Sequence, residues 1–116
     1  MDPDCLFCRI VAKQIPATVV YETDTTLAFR DIKPSAPVHV LVIPKDHHRD
    51  LVAMARTDPA AAADVLAAAA AVAELEGLTG DGFRLLFNNG RNAGQEVFHV
   101  HAHVLGGRPL GPMVST

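Results

Sequence analysis

The sequence predicts a single α+β domain over residues 1–116, built on one antiparallel sheet. Three observations support this class: short runs rich in β-branched residues, one long alanine-rich segment, and no linker or repeat between them. A chain that is 49% hydrophobic and 20% charged has the composition of a folded globular protein. The expected order of elements is helix, hairpin, strand, helix and two strands.

The first half of the chain is expected to form a short helix, a hairpin and a central strand. Residues 5–15 carry apolar side chains at near-helical spacing, and Pro16 would end that helix. Two β-rich runs on either side of "ETD" predict a hairpin within residues 18–32. "APVHVLVIP" at 36–44 is a β-branched run bounded by prolines, which indicates a buried strand.

Alanine, the strongest helix former, fills most of residues 59–76 and predicts the long helix. Asp58 is the expected N-cap with Pro59 at the first helical position, and Gly77 lies just past the end. The apolar face of this helix is expected to consist of Val65, Leu66, Val72 and Leu75. Strands at 83–88 and 98–106 follow, joined by the polar loop 89–97.

Charge and composition narrow the possible partners and the compartment. The net charge is −3 and the basic residues are scattered, so neither nucleic acid nor an anionic membrane is expected as a partner. The start "MDPDCLFCRI" lacks the apolar core of a signal peptide, and the longest apolar run is too short to span a bilayer. We therefore expect a cytoplasmic protein in which Cys5 and Cys8 are reduced, which leaves a metal-binding or redox role open.

Three histidines at alternate positions stand out in "FHVHAHVLGG" at 98–107. On a strand, His99, His101 and His103 would share one face, about 7 Å apart in succession, while the small apolar residues between them face the core. Such a row could ligate a metal, or it could combine a nucleophile or general base with an anion-binding imidazole. An exposed strand face without a special role is the third alternative.

The loop before these histidines favours phosphate chemistry. Gly90 and Gly94 allow tight turns that expose backbone N–H groups, and Asn88, Asn89 and Gln95 add neutral amide donors. Neutral donors beside an imidazole suit a phosphodiester or phosphoramidate better than a nucleic-acid strand.

The segment His-Val-His-Ala-His-Val-Leu resembles the signature of the histidine triad family. The resemblance continues through "CLFCRIVAKQIPATVVYETD", "LAFRDIKPSAPVHVLVIPKDH", "NNGRNAGQEVFHVHAHVLGGR" and the tail "PLGPM", as in the bacterial nucleoside phosphoramidase (HinT-like) branch. It implies a HIT-like fold with a five-stranded antiparallel sheet and two helices. It also implies a homodimer whose sheets join into ten strands, with the tail near the dimer interface.

The resemblance implies hydrolysis of purine nucleoside 5′-phosphoramidates, adenosine first, through a nucleotidyl-histidine intermediate. In that scheme His101 is the nucleophile, His103 binds the phosphate oxygens and His39 lines the phosphate site. Gln95 and the backbone N–H of Val97 would hold non-bridging oxygens, with a further hydrogen bond from Asn88.

Further positions follow from the same resemblance. Asp31 would accept the ribose hydroxyls, and an apolar slot around the base would consist of Phe7, Ile10, Ile15, Phe29 and Ile32. Ordinary core packing is the alternative for these apolar residues. Glu96 stands where eukaryotic relatives usually carry a serine that protonates the leaving amine. Glu96 could serve as that general acid, or it could point away and leave only the Val97 amide in use.

The two cysteines also have counterparts in the family. Several histidine triad proteins with this N-terminal Cys-x-x-Cys are similar in binding zinc, and their ligands correspond to Cys5, Cys8, His47 and His99. A Cys₂His₂ set is closed, which indicates a structural ion and not a catalytic one. The alternative is that the cysteines are small buried hydrophobes. His48 is expected at the surface.

Two alternative functions remain beside the phosphoramidase. One is hydrolysis of diadenosine polyphosphates, the activity of another branch of the family. The other is a nucleotide-binding or partner-regulating protein in which catalysis is incidental.

Overall fold

The structure is a computed structural model that describes residues 2–114. Its elements in chain order are α1 (Leu6–Val11), β1 (Val19–Glu22), β2 (Thr26–Arg30), β3 (Val38–Pro44), α2 (Leu51–Thr57), α3 (Pro59–Leu75), β4 (Phe83–Phe87) and β5 (Ala102–Gly106). The strands form one sheet in the order β1-β2-β3-β5-β4, and every neighbouring pair is antiparallel. Met1, Ser115 and Thr116, at the ends of the predicted domain and tail, lie outside the described residues.

The α+β class and the five-stranded antiparallel sheet are confirmed, but the expectation of two helices is wrong. The structure has a third helix, α2, in which Asp50 accepts a hydrogen bond from the backbone N–H of Ala53 at 2.9 Å. This helix has 7 residues. It is therefore shorter than the window of about 11 residues over which helical periodicity becomes readable.

The sheet separates two apolar clusters, and β3 contributes to both. Val40 and Val42 face the cluster under α3, whereas Leu41 and Ile43 face a second cluster that includes Phe7 of α1. Because side chains alternate along a strand, burial on both faces explains why β3 has a nearly continuous apolar sequence. His39 shares the face of Leu41 and so lies on the side of the sheet that carries the second cluster.

The predicted cap of α3 is confirmed, whereas half of its predicted apolar face is wrong. Asp58 accepts a hydrogen bond from the backbone N–H of Ala61 at 3.1 Å, and Pro59 occupies the first turn. Leu66 and Leu75 are 52% and 61% exposed. The buried face is Val65, Ala68, Ala69, Val72 and Ala73. These follow the i, i+3, i+4, i+7, i+8 spacing of one helix face. The small side chains allow α3 to lie close to the sheet.

Two predicted elements are shorter than expected. Helix α1 ends at Val11, and Lys13 adopts a left-handed φ of 63°, so the helix stops before Pro16 can end it. Strand β5 begins at Ala102, and residues 98–101 lie outside the strand. There the backbone N–H of Val100 donates to the carbonyl of His48 at 2.8 Å, in the loop after β3.

None of the helices within residues 2–114 is long and apolar enough to cross a membrane.

Candidate active site

Two histidines on neighbouring strands form a hydrogen-bonded pair on the sheet face that α1 covers. His103 of β5 lies opposite Leu41 of β3, and its Nδ1 is 2.9 Å from Nε2 of His39. The backbone N–H of Ser35 donates to Nδ1 of His39 at 3.0 Å, so that nitrogen carries no proton. His39 in its neutral form therefore donates from Nε2 to Nδ1 of His103.

This chain of donors leaves the remaining proton of neutral His103 on Nε2. That nitrogen is buried and has no hydrogen-bond partner among residues 2–114. An unpaired buried N–H is costly, since it loses its hydrogen bond to water without a replacement. A bound acceptor such as a phosphate oxygen would satisfy it.

The ring of His101 is the opposite tautomer to that of His39, because its proton is on Nδ1. Its Nδ1 lies 2.8 Å from the main-chain oxygen of His99, and a carbonyl oxygen only accepts, so Nδ1 carries the proton. In the neutral ring the lone pair is then on Nε2. The ring of His101 lies 5.0 Å from that of His103 and 5.1 Å from that of Phe7, centroid to centroid. The site thus combines a nitrogen lone pair with a nearby unpaired N–H donor.

Burial keeps these imidazoles neutral. Desolvation lowers the pKa of His103 from its ordinary 6.5 to about 4, with further lowering by His101 and His39. Burial also lowers the pKa of His101 and of His39, although Asp31 opposes both shifts through its negative charge. At neutral pH all three rings are consequently neutral, each with one N–H, and the neutral form is the one in which an imidazole is a nucleophile.

Asp31 lies at the edge of the histidine pair. One carboxylate oxygen is 3.5 Å from Nε2 of His39, and the other accepts from the backbone N–H of Lys33 at 2.8 Å. Donor atoms of Asp31, His39 and His103 fall within 4.8 Å of one another. A metal ligand at Nε2 of His39 would need its lone pair there, but the Ser35 N–H places the ring proton on that nitrogen. The arrangement favours an anion-binding site over a cation site.

The predicted phosphate loop contains the expected turns, but Gln95 is engaged within the loop. Gly90 and Gly94 have φ values of 84° and 81°, which glycine adopts without strain. The side chain of Gln95 is 7% exposed; its Oε1 accepts from the Gly90 N–H at 2.8 Å, and its Nε2 donates to the carbonyls of Arg49 and Val97 at 2.9 and 3.1 Å. Gln95 therefore shapes the loop that carries Val97.

The other predicted loop residues differ in exposure. Asn88 and Val97 are half-buried, whereas Glu96 is exposed. Glu96 and Val97 also line a cavity of about 490 Å³ together with Arg49 and Phe98. The guanidinium carbon of Arg49 is 4.9 Å from the centroid of the Phe98 ring, so one wall of this cavity is a cation–π pair.

The predicted nucleoside slot is brought together only in part. Phe7 and Phe29 pack edge to face with centroids 5.4 Å apart, and Ile10 is half-buried against the same cluster. Ile15 is half-buried, and Ile32 is 93% exposed. The two phenylalanines are thus part of the core cluster, and the ring of Phe7 also adjoins His101.

The structure collects Cys5, Cys8, His47 and His99, the residues predicted as metal ligands, into one cluster. Their ligand atoms all lie within 4.8 Å of one another. Nδ1 of His99 is 3.4 Å from the Cys5 sulfur and 3.5 Å from the Cys8 sulfur, and Nδ1 of His47 is 3.4 Å from the Cys8 sulfur. Zinc–ligand bonds of about 2.3 Å to sulfur and about 2.0 Å to nitrogen imply tetrahedral S···N edges of about 3.5 Å.

The protonation states also fit a cation. Nε2 of His99 donates to the carbonyl of Pro44 at 2.7 Å, which leaves a lone pair on the Nδ1 that faces the sulfurs. Burial lowers the pKa of His99 to about 4, so this ring is neutral at pH 7. Burial raises the pKa of the Cys5 thiol, and a bound cation would offset that shift by stabilising the thiolate. The donor set fits zinc.

His48 lies outside the metal cluster, as predicted, but its exposure differs from the expectation. The ligand candidate His47 is exposed, whereas His48 is half-buried with Nε2 at 3.6 Å from a carboxylate oxygen of Asp58. The prediction that His48 lies at the surface is therefore wrong.

Sequence reasoning missed Ser35, although its backbone N–H fixes the tautomer of His39. A backbone donor has no side-chain signal. The prolines at 34 and 37 indicated only that the chain turns there.

Comparison with known proteins agrees with this geometry. The HIT domain family model matches residues 12–110. The chain is 43% identical over 115 residues to the purine nucleoside phosphoramidase of Escherichia coli (strain K12), covering 99% of this chain and 97% of that protein. It is 50% identical over 110 residues to a HIT-like protein of Synechocystis sp., covering 95% of this chain and 96% of that protein.

Solved structures give the same result. A HIT family hydrolase from Clostridium thermocellum matches with a TM-score of 0.94 and 41% identity, covering 99% of this chain and 100% of that chain. A histidine triad protein from Clostridium difficile matches with a TM-score of 0.93 and 38% identity, covering 98% and 99% of the two chains. Family model, relatives and fold agree: the chain belongs to the HIT domain family.

Proposed function

We propose that this protein hydrolyses purine nucleoside 5′-phosphoramidates, such as adenosine 5′-phosphoramidate, to the nucleoside monophosphate and an amine. One observation carries the proposal: a neutral His101 with its lone pair on Nε2 adjoins the unpaired Nε2–H of His103. The name of the Escherichia coli relative, purine nucleoside phosphoramidase, supports the same substrate class.

In the first step Nε2 of His101 attacks the α-phosphorus. The phosphorus–nitrogen bond to the amine breaks, its electron pair leaves with the amine, and the amine takes up a proton. A nucleotidyl-histidine intermediate results. The His103 N–H, donating to a non-bridging oxygen, would stabilise charge that develops on the phosphoryl group, and His39 would keep that N–H in place.

In the second step a water molecule attacks the same phosphorus. The bond from phosphorus to Nε2 of His101 breaks, the water loses a proton, and the nucleoside monophosphate leaves. Glu96 is proposed as the residue that supplies the proton to the amine in the first step, because its side chain is exposed and adjoins Val97 in the loop before the histidines. Splitting the transfer into two displacements at one imidazole makes each step easier.

The nucleoside and the phosphate would be held by the residues around this pair. Asp31 would accept the ribose hydroxyls, and the Phe7–Phe29 pair with Ile10 and Ile15 would contact the base. The Val97 N–H and Asn88 would bind phosphate oxygens, while Gln95 is proposed to hold the loop in shape. Ile32, being exposed, would contribute only when a ligand or a second chain covers it.

The cluster of Cys5, Cys8, His47 and His99 is proposed to hold one zinc ion. When bound, zinc would supply a structural crosslink between the start of α1, the loop after β3 and the segment before β5. Both thiols must be reduced for this, which agrees with a cytoplasmic location.

We also propose a homodimer. Strand β4 is an edge of the sheet, and its first residue, Phe83, is 39% exposed. Two antiparallel β4 edges could pair around a twofold axis and extend the sheet to ten strands. Sedimentation velocity is expected to give twice the chain mass, and a monomer at micromolar concentration would contradict the pairing.

The proposed reaction is tested by assaying adenosine 5′-phosphoramidate and diadenosine triphosphate side by side. Preferred turnover of the phosphoramidate, lost in His101→Ala, is expected. Intact turnover in His101→Ala would show that another group is the nucleophile. Preference for the diadenosine compound would assign the chain to the other activity, and binding without turnover would leave a nucleotide-binding role.

A further inference from the structure

The segment that carries the proposed nucleophile lies just before β5 and takes no part in strand pairing. Residues 98–101 precede β5 and lie outside the strand pairs of β3 and β4 with β5. Two hydrogen bonds hold the segment, one to the end of β3 and one to the loop after it: His99 Nε2 donates to the carbonyl of Pro44 at 2.7 Å, and the Val100 N–H donates to the carbonyl of His48 at 2.8 Å. That loop also carries His47. The position of the segment therefore depends on the order of the loop.

His99 links the metal cluster to His101 through a single residue. Its side chain directs Nδ1 at the sulfurs of Cys5 and Cys8, at 3.4 and 3.5 Å. Its main-chain oxygen accepts the Nδ1–H of His101 at 2.8 Å. Since the hydrogen bond at one ring nitrogen decides which tautomer a histidine adopts, the orientation of this peptide places the His101 lone pair on Nε2.

Phe7 provides a second link. It lies between Cys5 and Cys8 in the first turn of α1 and is 5% exposed. Its ring meets His101 edge to face at 5.1 Å between centroids, and meets His99 at 6.0 Å. Any displacement of the two cysteines would move this ring against the nucleophile, because interiors are close-packed.

We propose that His99 and Phe7 are positioning residues, through which zinc in the Cys5, Cys8, His47 and His99 cluster fixes the ring orientation and tautomer of His101. The proposal rests on the proposed function, since it takes His101 as the nucleophile. Without zinc, His99 loses its anchor at Nδ1, and the loop that holds the His99–Val100 peptide through the His48 carbonyl loses its link at His47. The His99 carbonyl then shifts, and neutral His101 exchanges between its two tautomers. In the form protonated at Nε2 the ring has no lone pair directed at phosphorus.

The test compares the zinc-loaded protein with the chelator-stripped protein, with His47→Ala and with the control His48→Ala. His47 is exposed and directs Nδ1 at the Cys8 sulfur, while the neighbouring His48 lies outside the cluster. Nitrogen-15 spectra of labelled histidine, recorded without substrate at about pH 8, report the tautomer of the neutral ring. The loaded protein and His48→Ala are expected to show His101 protonated at Nδ1. The stripped protein and His47→Ala are expected to shift toward the average of both tautomers.

Kinetics give the second readout. Loss of zinc is expected to lower kcat by about 10- to 100-fold, the scale of a small misplacement of a reacting group, with KM changed by less than about twofold. Returning zinc is expected to restore wild type but not His47→Ala. If His47→Ala lacks the native amide spectrum, His47→Asp, which keeps an oxygen ligand on the same loop, replaces it with the same expectation at low zinc.

An unchanged His101 tautomer and an unchanged kcat after zinc removal would overturn the coupling and leave the proposed reaction standing. A purified protein that binds no zinc would overturn it as well. If the loaded protein binds AMP but cleaves no phosphoramidate, the proposed function fails, and the tautomer spectra still decide whether the metal cluster controls His101.

Discussion

Replacing Gln95 by alanine tests whether this residue shapes the phosphate loop from within. Its side chain is 7% exposed and makes three hydrogen bonds: it accepts from the Gly90 N–H and donates to the carbonyls of Arg49 and Val97. In Gln95→Ala these three backbone groups lose their partner. The loop 89–97 is then no longer connected through this side chain to Arg49, in the loop after β3.

The expected loss follows from the number of bonds. A hydrogen bond of this kind contributes about 1 kcal/mol net, so Gln95→Ala is expected to lower the free energy of unfolding by about 3 kcal/mol. With an unfolding entropy of about 2.1 cal/mol/K per residue, a chain of 116 residues would lose about 12 °C in Tm. The loss of kcat is expected to exceed the change in KM, because the Val97 amide would no longer be held where charge develops.

Urea denaturation and thermal melts followed by circular dichroism measure this effect. Asn92→Ala, at an exposed position of the same loop, is the matched control and is expected to stay within about 0.5 kcal/mol of wild type. If Gln95→Ala also unfolds within about 0.5 kcal/mol of wild type, the side chain does not brace the loop, and a direct contact with substrate phosphate becomes the better interpretation.

Four further outcomes are expected. Val72→Ala, at a fully buried position, should lower the free energy of unfolding by about 2 kcal/mol in urea titrations. Leu66 is 52% exposed, so Leu66→Ala should change that free energy by less than about 0.5 kcal/mol, and equal losses in the two variants would contradict the burial pattern. Cys8→Ser should reduce the zinc content from one ion per chain to near zero by elemental analysis, and an unchanged content would remove that thiol from the site. Burial lowers the pKa of His39 and of His101 below 6.5 and that of His103 to about 4, so the acid limb of kcat/KM should have its midpoint below pH 6.5; a midpoint at or above 6.5 would refute the neutral histidines. Glu96→Gln should slow substrates with strongly basic leaving amines more than those with weakly basic ones, and equal slowing would argue against a proton donor there.

The sequence predicted those helices and strands whose conformation follows from local residue preferences. The alanine run and the Asp58–Pro59 start were sufficient for α3, and the β-branched run was sufficient for β3. Helix α2 was missed, although Asp50 is a favourable N-cap, because its 7 residues are not part of a longer apolar pattern of the kind that extends over residues 5–15 around α1. Amphipathic reasoning assigned Leu66 and Leu75 to the core because it ranks side chains by hydrophobicity, whereas close approach to the sheet selected alanines instead.

In the candidate site, the side chains were predicted from the sequence, whereas the backbone contacts were not. Residue types and the family resemblance were enough to name His39, His101 and His103 and the four cluster residues that the fold brings together. The strand predicted for 98–106 failed at its beginning because contacts with the loop after β3, and not the alternating pattern, determine the path of residues 98–101. Backbone partners were equally invisible in the sequence. The Ser35 N–H and the His99 carbonyl decide which nitrogens carry protons, and only the folded chain reveals them.

Trapping the nucleotidyl-enzyme intermediate tests most directly whether His101 is the nucleophile. Zinc-loaded protein is mixed with adenosine 5′-phosphoramidate, quenched within milliseconds in alkaline denaturant to preserve the phosphorus–nitrogen bond, digested and sequenced by mass spectrometry. The lone pair on Nε2 predicts an adenylyl group on His101, present in wild type and absent in His101→Ala. An adenylyl group on another residue, or rapid turnover with no adduct on any histidine, would contradict His101 as the nucleophile.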